Sequence, residues 1–176
     1  MKKVITLIFV FSLSISCFYA QEGYSGRLGL GWGSDYNLML NTCHGVYLKP
    51  CLFLGMGTGV STPVHRHRNQ DGTQSDTYVF PVFLEAQYIP FKSKVAPFLS
   101  MQVGGENTWS MRYFPNGTED PQNEYKLVGV ASPALGVKLR LIDKTALYAS
   151  FSAHFRTSAT YSISQHAFSF SIGIEF

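Results

Sequence analysis

The residues of this chain with chemistry to offer fall into two sets. Arg27, Glu85, Lys138, Arg140 and Glu175 are three cations and two carboxylates, each set among small residues in a segment whose alternate positions are bulky and apolar. Gathered away from water, such groups pair as ions, and the same set could act as a gate or a proton path. Ion pairing is the expectation, because a narrow polar interior needs matched charges whatever its role. His65, Arg66, His67 and Arg68 form the second set, in a polar stretch. His-x-His can chelate a metal, and arginine offers a forked donor to phosphate. No further ligand is fixed nearby, so the cluster reads as a solvated loop tip. No metal site and no cofactor are assigned.

Nucleophilic chemistry finds little support. His166 stands near Ser162 and Ser164, yet no acid lies beside them on the lipid face, and His154 shares the inward face with Ser150 and Ser152, an inaccessible set. A Gly-x-Ser-x-Gly elbow is absent from the sequence. No catalytic residue is assigned, and the chain is read as not an enzyme.

These groups are positioned by segments of period two. From His166 to the end, His166, Phe168, Phe170, Ile172, Ile174 and Phe176 alternate with Ala167, Ser169, Ser171, Gly173 and Glu175. One face is bulky and apolar and the other small and polar, which is the pattern of a strand with lipid outside and a packed lumen inside. Further strands are expected over Gly23 to Gly33, Leu38 to Leu48, Leu52 to Val60, Thr77 to Tyr88, Val95 to Asn107, Tyr125 to Arg140 and Thr145 to Arg156. The links between them alternate. Lys49-Pro50, Pro90 to Lys94 and Ile142 to Lys144 are tight, while Ser61 to Asp76, Thr108 to Glu124 and Thr157 to Gln165 are long and polar. Ser34 to Asn37, between the first two strands, is short for its side. Pro81 and Pro133 fall inside strands, where bulges or local ladder breaks are expected.

Eight strands with alternating turns give an all-β, eight-stranded antiparallel up-and-down barrel that places both ends on one side. Past residue 20 there is no uninterrupted apolar run long enough for a spanning helix, so a barrel is the remaining way to span a membrane. A soluble barrel also alternates, but its outward face must carry solubilising charge. Here the face opposite the bulky one is mostly Gly, Ser and Ala, which suits a narrow lumen. Charged residues are 14% of the chain and aromatics 15%, a composition poorly matched to a water-facing surface.

Residues 1–20 read as a signal peptide, with Lys2 and Lys3, the apolar run Val4 to Phe11, and Ala20 at the cut. Lipidation at Cys17 is a weaker alternative, since Ser14 stands where a Leu is wanted. Residues 21–176 would then be the barrel. Without Lys2 and Lys3, twelve basic residues face eleven acidic ones, so no nucleic-acid partner is implied. Cys43 and Cys51 are expected as free or buried thiols, because the reversal at Lys49-Pro50 sets Cys51 nearer Tyr47 than Cys43.

Thr42-Cys43-His44-Gly45, the run Phe53-Leu54-Gly55-Met56-Gly57-Thr58-Gly59-Val60, Ala96-Pro97-Phe98 and Ile172-Gly173-Ile174-Glu175-Phe176 follow one another in an order that resembles the outer-membrane protein beta-barrel domain family of Gram-negative bacteria. The resemblance implies an outer-membrane location after export through the periplasm. It also implies Phe176 as a signal read by the barrel-insertion machinery, and contact with membrane lipids and lipopolysaccharide. The expected role is an integral membrane protein of structural, adhesive or narrow-pore type. A lipid A-modifying barrel (deacylase or acyltransferase) and a soluble secreted barrel for a hydrophobic ligand are the alternatives. Oligomeric state is left open.

Overall fold

Alternation at period two puts every second side chain on one face, and a strand with both edges in need of partners is satisfied only in a closed sheet. The computed structural model describes residues 23–34, 36–63, 67–68, 74–113, 119–142, 145–158 and 165–176. Residues 1–20, His65 and Arg66 lie outside these. The strands are β1 (Tyr24–Gly33), β2 (Tyr36–Lys49), β3 (Leu52–Pro63), β4 (His67–Arg68), β5 (Gln74–Tyr88), β6 (Val95–Tyr113), β7 (Glu119–Ile142), β8 (Thr145–Ser158) and β9 (Gln165–Glu175). Every pairing is antiparallel, and the order β3-β2-β1-β9-β8-β7-β6-β5 is closed by β3 on β5. Eight strands therefore make the barrel. The short β4 only extends the far end of β5, through His67 opposite Ser75 and Arg68 opposite Gln74.

The stagger can be read from the register. From Glu175 the partners run through Arg27, Cys43, Gly57, Phe83, Gly104, Val130 and Arg156, and return to β9 at Gln165, ten residues from the start. Ten residues of stagger over eight strands require a strand tilt of roughly 40°, and the resulting interior is just wide enough for side chains to fill.

Two kinds of surface follow. The bulky set points outward: Leu28, Leu30 and Trp32 on β1, Leu84 and Val82 on β5, Leu99 and Val103 on β6, and Phe168, Phe170 and Ile172 on β9 are all exposed. The core lies in the lumen, where Phe53 packs with Cys43, Phe83 and Tyr47, and Ile89, Ala96 and Phe98 pack against Tyr47 and Tyr148. These rings need room at the wall. A Cβ at Gly55 would come within 2.7 Å of the Phe53 ring and one at Gly57 would strike the Phe83 ring, so these two glycines of β3 are the seats of lumen aromatics.

Both prolines interrupt a ladder without shifting it. β3 and β5 pair from Leu52 to Thr58 and again at Ser61 opposite Val79, skipping the stretch that faces Pro81. β7 and β8 pair at Ala131 and resume at Ala134, skipping Pro133. The register is the same on each side of both gaps, so these are ladder breaks and not bulges.

Strand ends differ from the sequence reading. β5 starts at Gln74 and not Thr77, β6 runs on to Tyr113 and not Asn107, and β7 starts at Glu119 and not Tyr125. Much of Thr108 to Glu124, expected as a loop, is a hairpin continued to Tyr113 opposite Glu119. On the β6 side Trp109, Met111 and Tyr113 continue the alternation against Thr108, Ser110 and Arg112, a signal the loop reading passed over, whereas Glu119 to Glu124 is polar on both faces and only backbone pairing reveals that strand.

Candidate functional site

The charged residues expected inside converge on one end of the lumen. Arg27 of β1 reaches across to β5, where its Nη1 donates to Glu85 Oε1 at 2.9 Å. Lys138 of β7 donates to Glu175 Oε2 of β9 at 2.5 Å, to the Tyr47 hydroxyl at 2.8 Å and to Gln87 Oε1 at 3.3 Å. Tyr47 donates in turn to Glu175 Oε1 at 2.7 Å. Arg27 Nε lies 3.9 Å from Glu175 Oε2, which joins the two pairs, and the guanidinium sits 4.2 Å from the Phe53 ring centroid. Gln102 adds a bond to Glu85 Oε2 at 3.2 Å. All four charged side chains are buried, so each needs its partner in place of water.

Arg140 stands apart. Its side chain is half-buried at the end of β7 and forms no ion pair among the described residues, so the expectation that it joins the cluster is corrected. It follows Lys138 by two residues near the end of β7.

A second layer lies toward the other end. Arg156 Nε donates to Glu106 Oε2 at 2.8 Å, both buried. Below it His154 is held between two serines, with Ser132 Oγ at 2.8 Å from Nδ1 and Ser169 Oγ at 2.7 Å from Nε2. His154 therefore meets serines of the neighbouring strands β7 and β9, and not Ser150 or Ser152 of its own. The strand pattern contained the signal for Glu106 and Arg156, which share inward parity with Gln102 and His154. Two small cavities, about 50 and 30 Å³, separate the layers. His154, Asn41, Gln102 and Met39 border both, and each has space for a few waters only. Chemically this arrangement fills the lumen with paired charges and hydrogen-bonded polar groups. Among the described residues no three His, Cys, Asp or Glu side chains group to hold a metal.

Of the basic cluster, His67 and Arg68 lie in β4 and are described by backbone alone, while His65 and Arg66 fall outside the described residues. Phe176 exchanges both backbone hydrogen bonds with Gly26, at 2.8 and 2.9 Å, and remains exposed. Cys43 and Cys51 are free thiols, the first buried.

One polar group on the outward face includes two residues of the Thr42-Cys43-His44-Gly45 run, to which the sequence assigns no chemistry. His44 of β2 has the Tyr24 hydroxyl 2.6 Å from Nδ1 and the Thr42 hydroxyl 2.9 Å from Nε2. The Tyr24 and His44 rings stack at 6.1 Å. Thr42 and His44 share a face by parity, but Tyr24 joins them only through the β1–β2 register.

No protein-family model matches the chain, and no curated protein matches it in sequence. Solved structures do match. The N-terminal β-barrel domain of Pseudomonas aeruginosa OprF superposes with a TM-score of 0.61 at 13% identity, over 89% of this chain and 97% of that one. Neisserial surface protein A gives 0.60 at 10% identity over 86% and 94%. Ail, the attachment invasion locus protein of Yersinia pestis, solved with the heparin analogue sucrose octasulfate, gives 0.55 at 10% identity over 89% and 100%. Such identities carry the fold alone, and the fold of this chain is the closed eight-stranded antiparallel barrel of these outer-membrane proteins.

Proposed function

We propose that this chain is an integral outer-membrane protein with a closed lumen and a structural or adhesive role, exported by way of residues 1–20. The observation that carries the membrane reading is the outward apolar belt. Trp32, Leu84, Leu99, Phe170 and Ile172 are half or more exposed, on separate sides of the barrel. Leaving one such side chain in water forfeits about 1.5–3 kcal/mol relative to burying it. Lipid around the barrel removes that cost.

Against the narrow-pore reading stand the ion pairs of Arg27, Glu85, Lys138 and Glu175 and the small size of the cavities. Among the described residues no exposed nucleophile–base–acid set supports catalysis. Contact with lipopolysaccharide, by the basic stretch His65 to Arg68, and recognition of Phe176 by the insertion machinery belong to the same proposal.

The test is folding into detergent micelles. A boiled and an unboiled sample should differ in gel mobility, the unboiled one migrating faster, and planar bilayers holding the protein should show no conductance steps. A soluble monomer without detergent would sink the membrane reading, and regular conductance steps would sink the closed lumen.

A further inference from the structure

The outward cluster of Tyr24, Thr42 and His44 has one proton more than it can use. Two hydrogen bonds are present, Tyr24 to Nδ1 and Thr42 to Nε2 of His44. Two hydroxyls and a neutral imidazole carry three donor protons between them. If Nε2 bears the ring proton, the Thr42 hydroxyl proton is left over. If Nδ1 bears it, the Tyr24 hydroxyl proton is. A charged imidazole would leave two. Among the described residues these side chains make no other hydrogen bond, and all three residues are only half-buried.

Resting on the membrane reading above, we infer that this cluster binds a glycerophospholipid through an acceptor oxygen of its phosphodiester or ester groups. A hydroxyl without an acceptor in hydrocarbon costs several kcal/mol, so the leftover proton belongs where lipid oxygens can reach it. Tyr24 is the first residue of β1, at the barrel rim, whereas Thr42 pairs with Leu28 four residues further in. The rim position selects the tautomer. Thr42 donates to Nε2, Nδ1–H donates to the Tyr24 oxygen, and the Tyr24 hydroxyl points its proton at the lipid.

The surroundings suit one lipid. Gly26 lies between Tyr24 and Leu28 on the outward face, opposite His44. A Cβ there would stand 2.7 Å from the Phe176 ring and 3.3 Å from His44 Nδ1. The Phe176 ring thus lies over Gly26 and walls the cluster on the β9 side. Leu28 and Val46, both exposed, continue it as apolar surface for an acyl chain.

Native mass spectrometry of the folded protein, titrated with phosphatidylethanolamine, tests this. One lipid should bind above the statistical background; Tyr24→Phe, which removes the hydroxyl that donates to it, should weaken it about five- to tenfold, the value of one hydrogen bond, and His44→Leu, which leaves that hydroxyl unoriented, should weaken it less. Met101→Leu, on the far wall, should leave it unchanged. An ether-linked analogue that binds as tightly assigns the acceptor to the phosphate, and one that binds more weakly assigns it to the ester. Equal binding by wild type and both cluster variants, with the gel-mobility shift intact, overturns the site and leaves the membrane reading standing. Loss of that shift in the wild type overturns both. Nitrogen NMR of His44 in phospholipid nanodiscs needs no variant: Nδ1 should carry the proton, and a ring protonated at Nε2 alone refutes the assignment.

Discussion

The Ser132 hydroxyl lies 2.8 Å from His154 Nδ1 at the point where Pro133 interrupts the ladder between β7 and β8. Proline has no N–H to give, so the backbone pairing lapses there. A side-chain bond on the lumen side bridges the gap, and His154 continues to Ser169 of β9. The other break is bridged in the same way: the Thr58 hydroxyl donates to the Pro81 carbonyl at 2.9 Å and Ser61 to the Val79 carbonyl at 3.4 Å. Each missing backbone bond is answered by a hydroxyl or imidazole within two residues of it.

His154→Ala should therefore destabilise the barrel by about 1–3 kcal/mol, because it leaves Ser132 and Ser169 without their partner in a buried site. Urea unfolding in lipid vesicles reads this as a lowered midpoint with unchanged slope. An unaltered midpoint would show that His154 fills space without holding the seam.

Pro133→Ala restores the absent N–H and should stabilise by roughly 1 kcal/mol, the net worth of one hydrogen bond. The same variant should slow amide exchange at Ala134 and Phe155. No gain in either would mean that the gap is set by strand curvature.

Lys138→Met leaves Glu175 with Tyr47 and a distant Arg27 only, and should cost about 3–5 kcal/mol. Adding Glu175→Gln should return a large part of that loss, since the uncompensated charge is then gone. A double-mutant cycle in which the two losses simply add would contradict the coupling drawn from the 2.5 Å contact.

Glycine substitutions should separate by what they strike. A Cβ at Gly45 would press on the Leu54 carbonyl and lie 2.5 Å from Gly55 Cα, both backbone, whereas a Cβ at Gly26 meets the Phe176 ring, which can swing aside. Gly45→Ala should cost about 2 kcal/mol or more and Gly26→Ala clearly less. Comparable unfolding midpoints for the two would refute the distinction.

How much of this could be read from the residues varies with the kind of order. The strands were legible because a buried lumen and an outward apolar belt force alternation, as in Phe168 to Phe176. Where both faces are polar, from Glu119 to Glu124, alternation vanishes and the strand reads as a loop; at Thr108 to Tyr113 the alternation of Trp109, Met111 and Tyr113 is present, but it lies among polar residues next to the Asn116-Gly117 turn signal. Parity put Arg27, Glu85, Lys138 and Glu175 inside, but not who meets whom: Arg27 and Glu85 are 58 positions apart and join across the lumen through the stagger of the whole barrel. Arg140 shares the same parity yet sits at a strand end. Position along the axis, which needs the register, decides whether an inward charge finds a partner.

The lumen contacts tie strands that are not neighbours in the sheet: β1 to β5 through Arg27 and Glu85, β2 to β9 through Tyr47 and Glu175, β6 to β8 through Glu106 and Arg156. They work like spokes in a hoop, and spokes can be fitted only once the hoop has closed. Contacts made that late are absent from the folding transition state, so their removal should raise the unfolding rate and leave the folding rate nearly unchanged. What the paired charges then give the barrel is chiefly lifetime: a hoop closed once seldom reopens.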